Sequence, residues 1–133
     1  MKENILELIK KQKLEEDCVI LAHHYQMTEI KQVADYIGDS YYLSALVSEL
    51  KTPKIYFCGV RFMAETVKIL SPDKTVILAN PDAGCPMADM VSLDDLIEFK
   101  ENNPNHLIVS YVNTSADIKA QSDICVTSSV ALN

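Results

Sequence analysis

The chain has 133 residues with 12 Lys plus Arg against 19 Asp plus Glu, a net charge of −7, 48% hydrophobic residues, four Cys, three Gly and no Trp. At roughly 100 to 200 residues per domain, this length makes one ordinary domain, or one and part of another, with apolar content enough for a core. An acidic chain without a Lys/Arg run excludes a nucleic-acid surface, no stretch approaches the ~18 apolar residues of a membrane span, and the N-terminus is no signal peptide, so a cytoplasmic protein is expected.

In chain order, Lys2 to Leu14 places Ile5, Leu6, Leu8 and Ile9 at helical spacing among Lys and Glu, which predicts an amphipathic surface helix. CVILAHHYQ follows, an apolar run ending in hydrogen-bonding residues, as in a buried parallel strand whose carboxyl end opens into a site. Ile30, Val33, Ala34 and Ile37 predict a helix over Thr28 to Ile37, and Leu43, Leu46, Val47 and Leu50 another, with Ser40 or Asp39 as its cap. A strand is expected over Ile55 to Val60, a helix over Phe62 to Leu70 stopped by Ser71-Pro72, and a strand over Thr75 to Ala79.

The loop PDAGCPMADM then surrounds Cys85, and Ser92-Leu93-Asp94-Asp95 supplies a capping box for a helix carrying Leu93, Leu96, Ile97 and Phe99. Strand His106 to Tyr111, a helix opening at Thr114-Ser115-Ala116-Asp117 and strand Ile124 to Thr127 complete the chain. Strands alternating with helices predict an α/β fold, a three-layer sandwich around a small parallel sheet.

A shift of 88 residues superimposes positions 19 to 40 on 107 to 128, pairing Ile20 with Ile108, Ile30 with Ile118, Lys31 with Lys119, Asp35 with Asp123 and Ser40 with Ser128. Strand, polar strand end, helix and terminal Ser recur in the same order, so this reads as a repeat of domain size. Residues 1–88 are then one complete domain and 89–133 the first half of a second. An incomplete domain leaves a sheet edge and face unpaired, and a chain that is the N-terminal part of a longer protein is expected.

His23, His24 and Tyr25 lie where that first strand ends. Ordinary packing explains an isolated His pair, but strand ends of open parallel sheets are also where ligands bind, and His23 and Tyr25 are spaced to face one ligand. His titrates near neutrality and Tyr is a weak acid. The repeat puts Tyr111 at the position of His23 and Asn113 at that of Tyr25, again polar. Ser40 and Ser128, each before an expected helix, are either simple caps or, with free backbone N–H groups, anion contacts. Cys85 is open to three readings: a buried inert thiol, a nucleophile, or one metal ligand of a set completed from elsewhere. Cys18, Cys58 and Cys125 fit no zinc spacing, a reducing compartment argues against disulfides, and all three are assigned to packing.

The order AHHYQ, ADYIGDS, FCGVRFMAETVKIL, PDAGCPMADM, SYVNTSADIKAQSD and VTSS resembles the bacterial quinolinate synthase family, across essentially the whole chain but less than half the family's length. The resemblance implies three α/β domains related by pseudo-threefold symmetry around a [4Fe-4S] cluster held by one Cys from each, here Cys85. It implies condensation of iminoaspartate with dihydroxyacetone phosphate to quinolinate in NAD biosynthesis, with release of phosphate and water. His23, Ser40, Tyr111, Asn113 and Ser128 become substrate contacts and Tyr25 a proton-transfer residue. A homodimer fits the family. With one of three cluster cysteines, the 133-residue chain alone is expected to be inactive; the alternative is a non-catalytic module that binds an anionic metabolite or a partner chain. Val130-Ala131-Leu132 follows the Ser pair where the family often has Asn.

Overall fold

In a computed structural model, which describes residues 2–132, the chain divides into two compact units, one ending at Ala83 and the other beginning at Gly84. The sequence reading places its domain boundary after Ala88.

The first unit opens with helix α1 (Lys2–Glu15), whose outer face carries the exposed pairs Lys10–Glu7 at 3.0 Å and Lys11–Glu15 at 3.6 Å. Such pairs contribute little, about 0.3–0.5 kcal/mol each. Asp17, at φ 47°, reverses the chain into β1 (Cys18–His23); Asp is among the few non-glycine residues that visit this left-handed region readily. Then come α2 (Thr28–Lys31), β2 (Tyr36–Gly38), α3 (Ser40–Glu49), β3 (Lys54–Cys58), α4 (Arg61–Leu70) and β4 (Thr75–Leu78). All four strands run parallel in the order β2-β1-β3-β4.

One face of this sheet forms the core. Leu21, Ile55 and Phe57 pack with Leu43 and Val47 of α3 and Ala64 and Val67 of α4, and all but Ala64 are wholly buried. The alternate strand positions, Cys18, Ile20, Tyr56 and Cys58, face the other way and share a cavity of about 370 Å³ with Ile9, Gln12 and Lys13 of α1. Helices on both faces give the expected three layers. At the end of the sheet where β4 begins, Lys74 is buried, with Nζ donating to the carbonyls of Leu50 (2.5 Å) and Thr52 (3.1 Å), which satisfies two chain-end acceptors after α3.

The second unit holds α5 (Leu93–Asn102), β5 (Val109–Tyr111), α6 (Ala116–Gln121) and β6 (Ile124–Val126), with β5 parallel to β6 and Leu96, Ile108 and Ile118 as its buried cluster. Ser92 caps α5 in the expected box, its Oγ accepting Asp95 N at 3.1 Å and donating to the Asp95 carboxylate at 2.6 Å.

The 88-residue repeat recurs bond for bond. Register pairs Leu21 with Tyr36 and His23 with Gly38 in the first unit, and Val109 with Ile124 and Tyr111 with Val126 in the second. Asp35 Oδ2 accepts Ile20 N at 2.8 Å, as Asp123 Oδ2 accepts Ile108 N at 2.8 Å. His24 N donates to Gly38 O at 3.0 Å, as Val112 N donates to Val126 O at 2.9 Å. The preceding helix also contributes a lysine in both, one residue out of step with the 88-residue shift: Lys13 Nζ donates to Val33 O, and Lys100 Nζ to Gln121 O.

Four expectations are corrected. The helix over Thr28 to Ile37 stops at Lys31, because Asp35 is held to Ile20 through both its N–H and its carboxylate, which draws Tyr36–Gly38 into a strand beside β1. The cap of α3 is Asp39, whose extended backbone (φ −84°, ψ 174°) lets its carboxylate accept Tyr42 N at 2.8 Å, so Ser40 becomes the first helical residue. The strand expected from His106 begins only at Val109. Cys125, assigned to packing, is exposed on β6.

The repeat also yields a test. Leu21 is 0% exposed, but its counterpart Val109 is 55% exposed. Leu21→Ala should therefore cost about 2–5 kcal/mol in urea denaturation, and Val109→Ala less than about 0.5 kcal/mol.

Candidate functional site

The carboxyl end of β1 forms the first part of the site. His23 is the last residue of that strand and only 5% exposed. The chain then turns at once, Gln26 N donating to His23 O at 2.9 Å, so Tyr25 lies beyond the strand and simple alternation does not apply to it. The turn nevertheless gathers the three rings: His23 stacks on His24 at 4.3 Å between centroids, and Tyr25 is tilted against both, 4.7 Å from His23 and 4.2 Å from His24. Tyr25 remains largely exposed, its phenol open to solvent or a ligand.

The backbone settles which face His23 offers. Tyr25 N–H donates to His23 Nδ1 at 3.3 Å, so that nitrogen carries a lone pair and the proton of the neutral ring sits on Nε2, available to donate to an anion. Burial lowers the proton affinity of His23 from its ordinary value; the neighbouring His24 lowers it further, and Asp39 opposes both. His24 is fixed by its N–H to Gly38 O, with Nδ1 3.4 Å from that same oxygen, and its own carbonyl accepts Lys31 Nζ at 3.2 Å.

Ser40 opens α3 two residues beyond Gly38, the register partner of His23. Its carbonyl accepts Ser44 Oγ at 2.7 Å. His23, Tyr25 and Ser40 are thus brought to the carboxyl end of the first unit's sheet. His24, named with them at the strand end, joins them, as do Lys31, which was not singled out as a site residue, and Asp39, legible only as one of two cap candidates.

In the second unit, Tyr111 ends β5 and shares with Asn113 a groove of about 520 Å³, bordered by Met87, Leu96, Phe99 and Ile118. Ser128 lies two residues past β6 and outside that lining, next to Ser129, whose hydroxyl is 2.8 Å from Thr127 Oγ1.

Cys85 occupies the loop before α5, half-buried, with its carbonyl accepting Asp89 N at 3.0 Å. Gly84 keeps the approach narrow, since a Cβ there would lie 3.3 Å from an Asp89 carboxylate oxygen. Among the described residues no group of three His, Cys, Asp or Glu side chains is arranged to hold a metal ion. A free, partly accessible thiol fits one thiolate of a larger ligand set and does not make a complete site. Cys18 and Cys58 differ, as burial raises both thiols above their ordinary range. No helix among the described residues is long and apolar enough to cross a membrane.

The geometry predicts a pH effect. The unfolded chain binds a proton on His23 near pH ~6.5, whereas the folded chain resists it. Stability should therefore fall as pH drops from about 6.5 toward the lowered folded value, and in an NMR titration His23 should show an Nε2–H neutral ring with a midpoint below about 6.5.

A family model described as quinolinate synthetase A protein matches residues 7–133. A quinolinate synthase of Clostridium perfringens is 54% identical over 125 residues, covering 94% of this chain and 42% of its own length. That of Alkaliphilus metalliredigens is 53% identical over 129 residues, covering 97% and 43%, and that of Aquifex aeolicus 47% identical over 133, covering 98% and 41%. The chain spans less than half the length of these relatives.

Proposed function

The chain belongs to the quinolinate synthetase A family, and from that premise we propose that it forms the iminoaspartate-handling part of a quinolinate synthase. The reaction would join iminoaspartate to dihydroxyacetone phosphate and release phosphate and water, in the cytoplasm, as a step of NAD biosynthesis. The observation that carries this reading is the cluster of His23, His24 and Tyr25 rings at the carboxyl end of β1, within a chain matched to the family from residue 7 onward.

The residue chemistry suits the substrate. Iminoaspartate carries two carboxylates; an Nε2–H on His23, with Nδ1 taken by Tyr25 N–H, would donate to one of them, and the first-turn N–H groups of α3, where Ser40 sits, favour negative charge. Tyr111 and Asn113 offer a hydroxyl and an amide along the groove of the second unit, and Ser128 a further hydroxyl. Enolisation and dehydration each move a proton, a task for the exposed phenol of Tyr25. Cys85 would supply one thiolate to a [4Fe-4S] cluster, which when bound provides a Lewis-acidic iron. A homodimer is compatible with this role.

Anaerobic reconstitution of the enzyme carrying this sequence, followed by a quinolinate assay, tests the proposal. Cys85→Ala should abolish cluster incorporation measured as bound iron and sulfide, with Cys18→Ala retaining it. Tyr25→Phe should lower kcat about 10²- to 10⁴-fold with the cluster intact. Full turnover in both Cys85→Ala and Tyr25→Phe would sink the assignment, and dicarboxylate binding without any turnover would favour a non-catalytic anion-binding module.

A further inference from the structure

The turn after β2 closes against the His23 cluster. Gly38 O takes His24 N, Asp39 accepts Tyr42 N at 2.8 Å, and the Tyr42 ring lies so close over Gly38 that a Cβ there would run into its Cδ1. Asp39 is therefore the clasp that seats the first turn of α3 beside His23. The second unit has the same turn, Ala131 N donating to Thr127 O at 3.1 Å as Leu43 N donates to Asp39 O at 3.0 Å. Its residue at the clasp is neutral, however, and the strand-end residue beside it is Tyr111. The acidic clasp accompanies the histidine and the neutral one the tyrosine.

We propose that Asp39 is a positioning residue for His23: it fixes the turn on which the ring stack rests, and its negative charge lets the buried imidazole accept a proton when a dicarboxylate binds. The proposal builds on the reading of His23 as an anion contact. Among the described residues, His24 and Tyr25 of its own turn lie against the imidazole, Asp39 at the cap of α3 acts on it through its charge, and Lys31 of α2 is held at the His24 carbonyl. Of these, Asp39 alone contributes negative charge at neutral pH. The proton comes from solvent and lands on Nδ1, the nitrogen that otherwise accepts Tyr25 N–H, so uptake frees the Tyr25 backbone.

Substitution separates the two roles. Asn and Thr both retain capping ability but lack the charge, whereas Ala lacks both. In ¹⁵N NMR titrations of the chain, Asp39→Asn and Asp39→Thr should each lower the His23 midpoint while Tyr42 N–H stays protected from exchange. Asp39→Ala should also speed Tyr42 exchange by about fivefold, the effect of losing a typical cap. In the reconstituted enzyme, Asp39→Asn should shift the alkaline limb of kcat/KM, where the required imidazolium loses its proton, to lower pH. A His23 midpoint that is unchanged or raised in both neutral-cap variants overturns the proposal, and either variant suffices if the other does not fold. The titration needs neither cluster nor turnover, so an inactive enzyme with a lowered midpoint would count against the catalytic reading and leave the Asp39 assignment standing.

Discussion

A parallel strand at the centre of a sheet must have both edges paired, and here that requirement is met through one carboxylate. β1 bonds β3 along one edge over five residues, but along the other it meets only the three residues of β2. A three-residue strand has little pairing energy of its own. Asp35 supplies what is missing by accepting Ile20 N at 2.8 Å, returning its own N–H to Ile20 O at 2.8 Å, and holding Lys13 of α1 at 2.6 Å. A hydrogen bond to a charged acceptor is worth about 1.5–3 kcal/mol, comparable with the whole ladder it supports. One side chain thereby ties helix, central strand and edge strand together, and in the second unit Asp123 repeats the bond to the strand, accepting Ile108 N at 2.8 Å.

The chemistry at the strand end follows from that tie. With β2 in register, Gly38 is opposite His23, and its carbonyl anchors His24. The turn that gathers the His24 and Tyr25 rings against His23 is consequently held from both sides, by β2 and by the Gln26 to His23 bond. A His buried this way is useful to an anion only if its free nitrogen is the protonated one. The Tyr25 N–H bond to Nδ1 makes it so without any further side chain. Packing and tautomer are thus set by backbone groups, and the side chains are left free to meet a ligand.

This division explains what could be read from the sequence. The parallel α/β class, α1, α3, α4, α5 and the repeat were legible because they rest on apolar spacing and on pairs such as Asp35 with Asp123, which survive translation by 88 residues. β2 was not legible, since Ile30, Val33, Ala34 and Ile37 satisfy helical spacing and only a long-range bond to Ile20 overrides it. The choice between Asp39 and Ser40 turned on one residue of backbone conformation, which composition does not encode. His23 and Tyr25 could be named as neighbours, but the reason offered, strand alternation, was replaced by a tight turn. The exposure of Cys125 reflects burial rather than strand membership: alternation says that a residue leaves the plane of a sheet, not that anything covers it.

The two copies of the repeat then show what is structural and what is chemical. Backbone pairing, the Asp to Ile clasp and the lysine on the chain preceding each second strand recur in both, so those are requirements of the fold. The strand-end residues do not recur: His23 and Tyr25 correspond to Tyr111 and Asn113, and Asp39 corresponds to Thr127. Had these positions served only to end a strand, the scaffold that preserved register would have tolerated the same residues in both. They differ in charge and in titratable protons: the first unit's strand end carries a histidine beside a carboxylate, the second only neutral hydrogen-bonding groups.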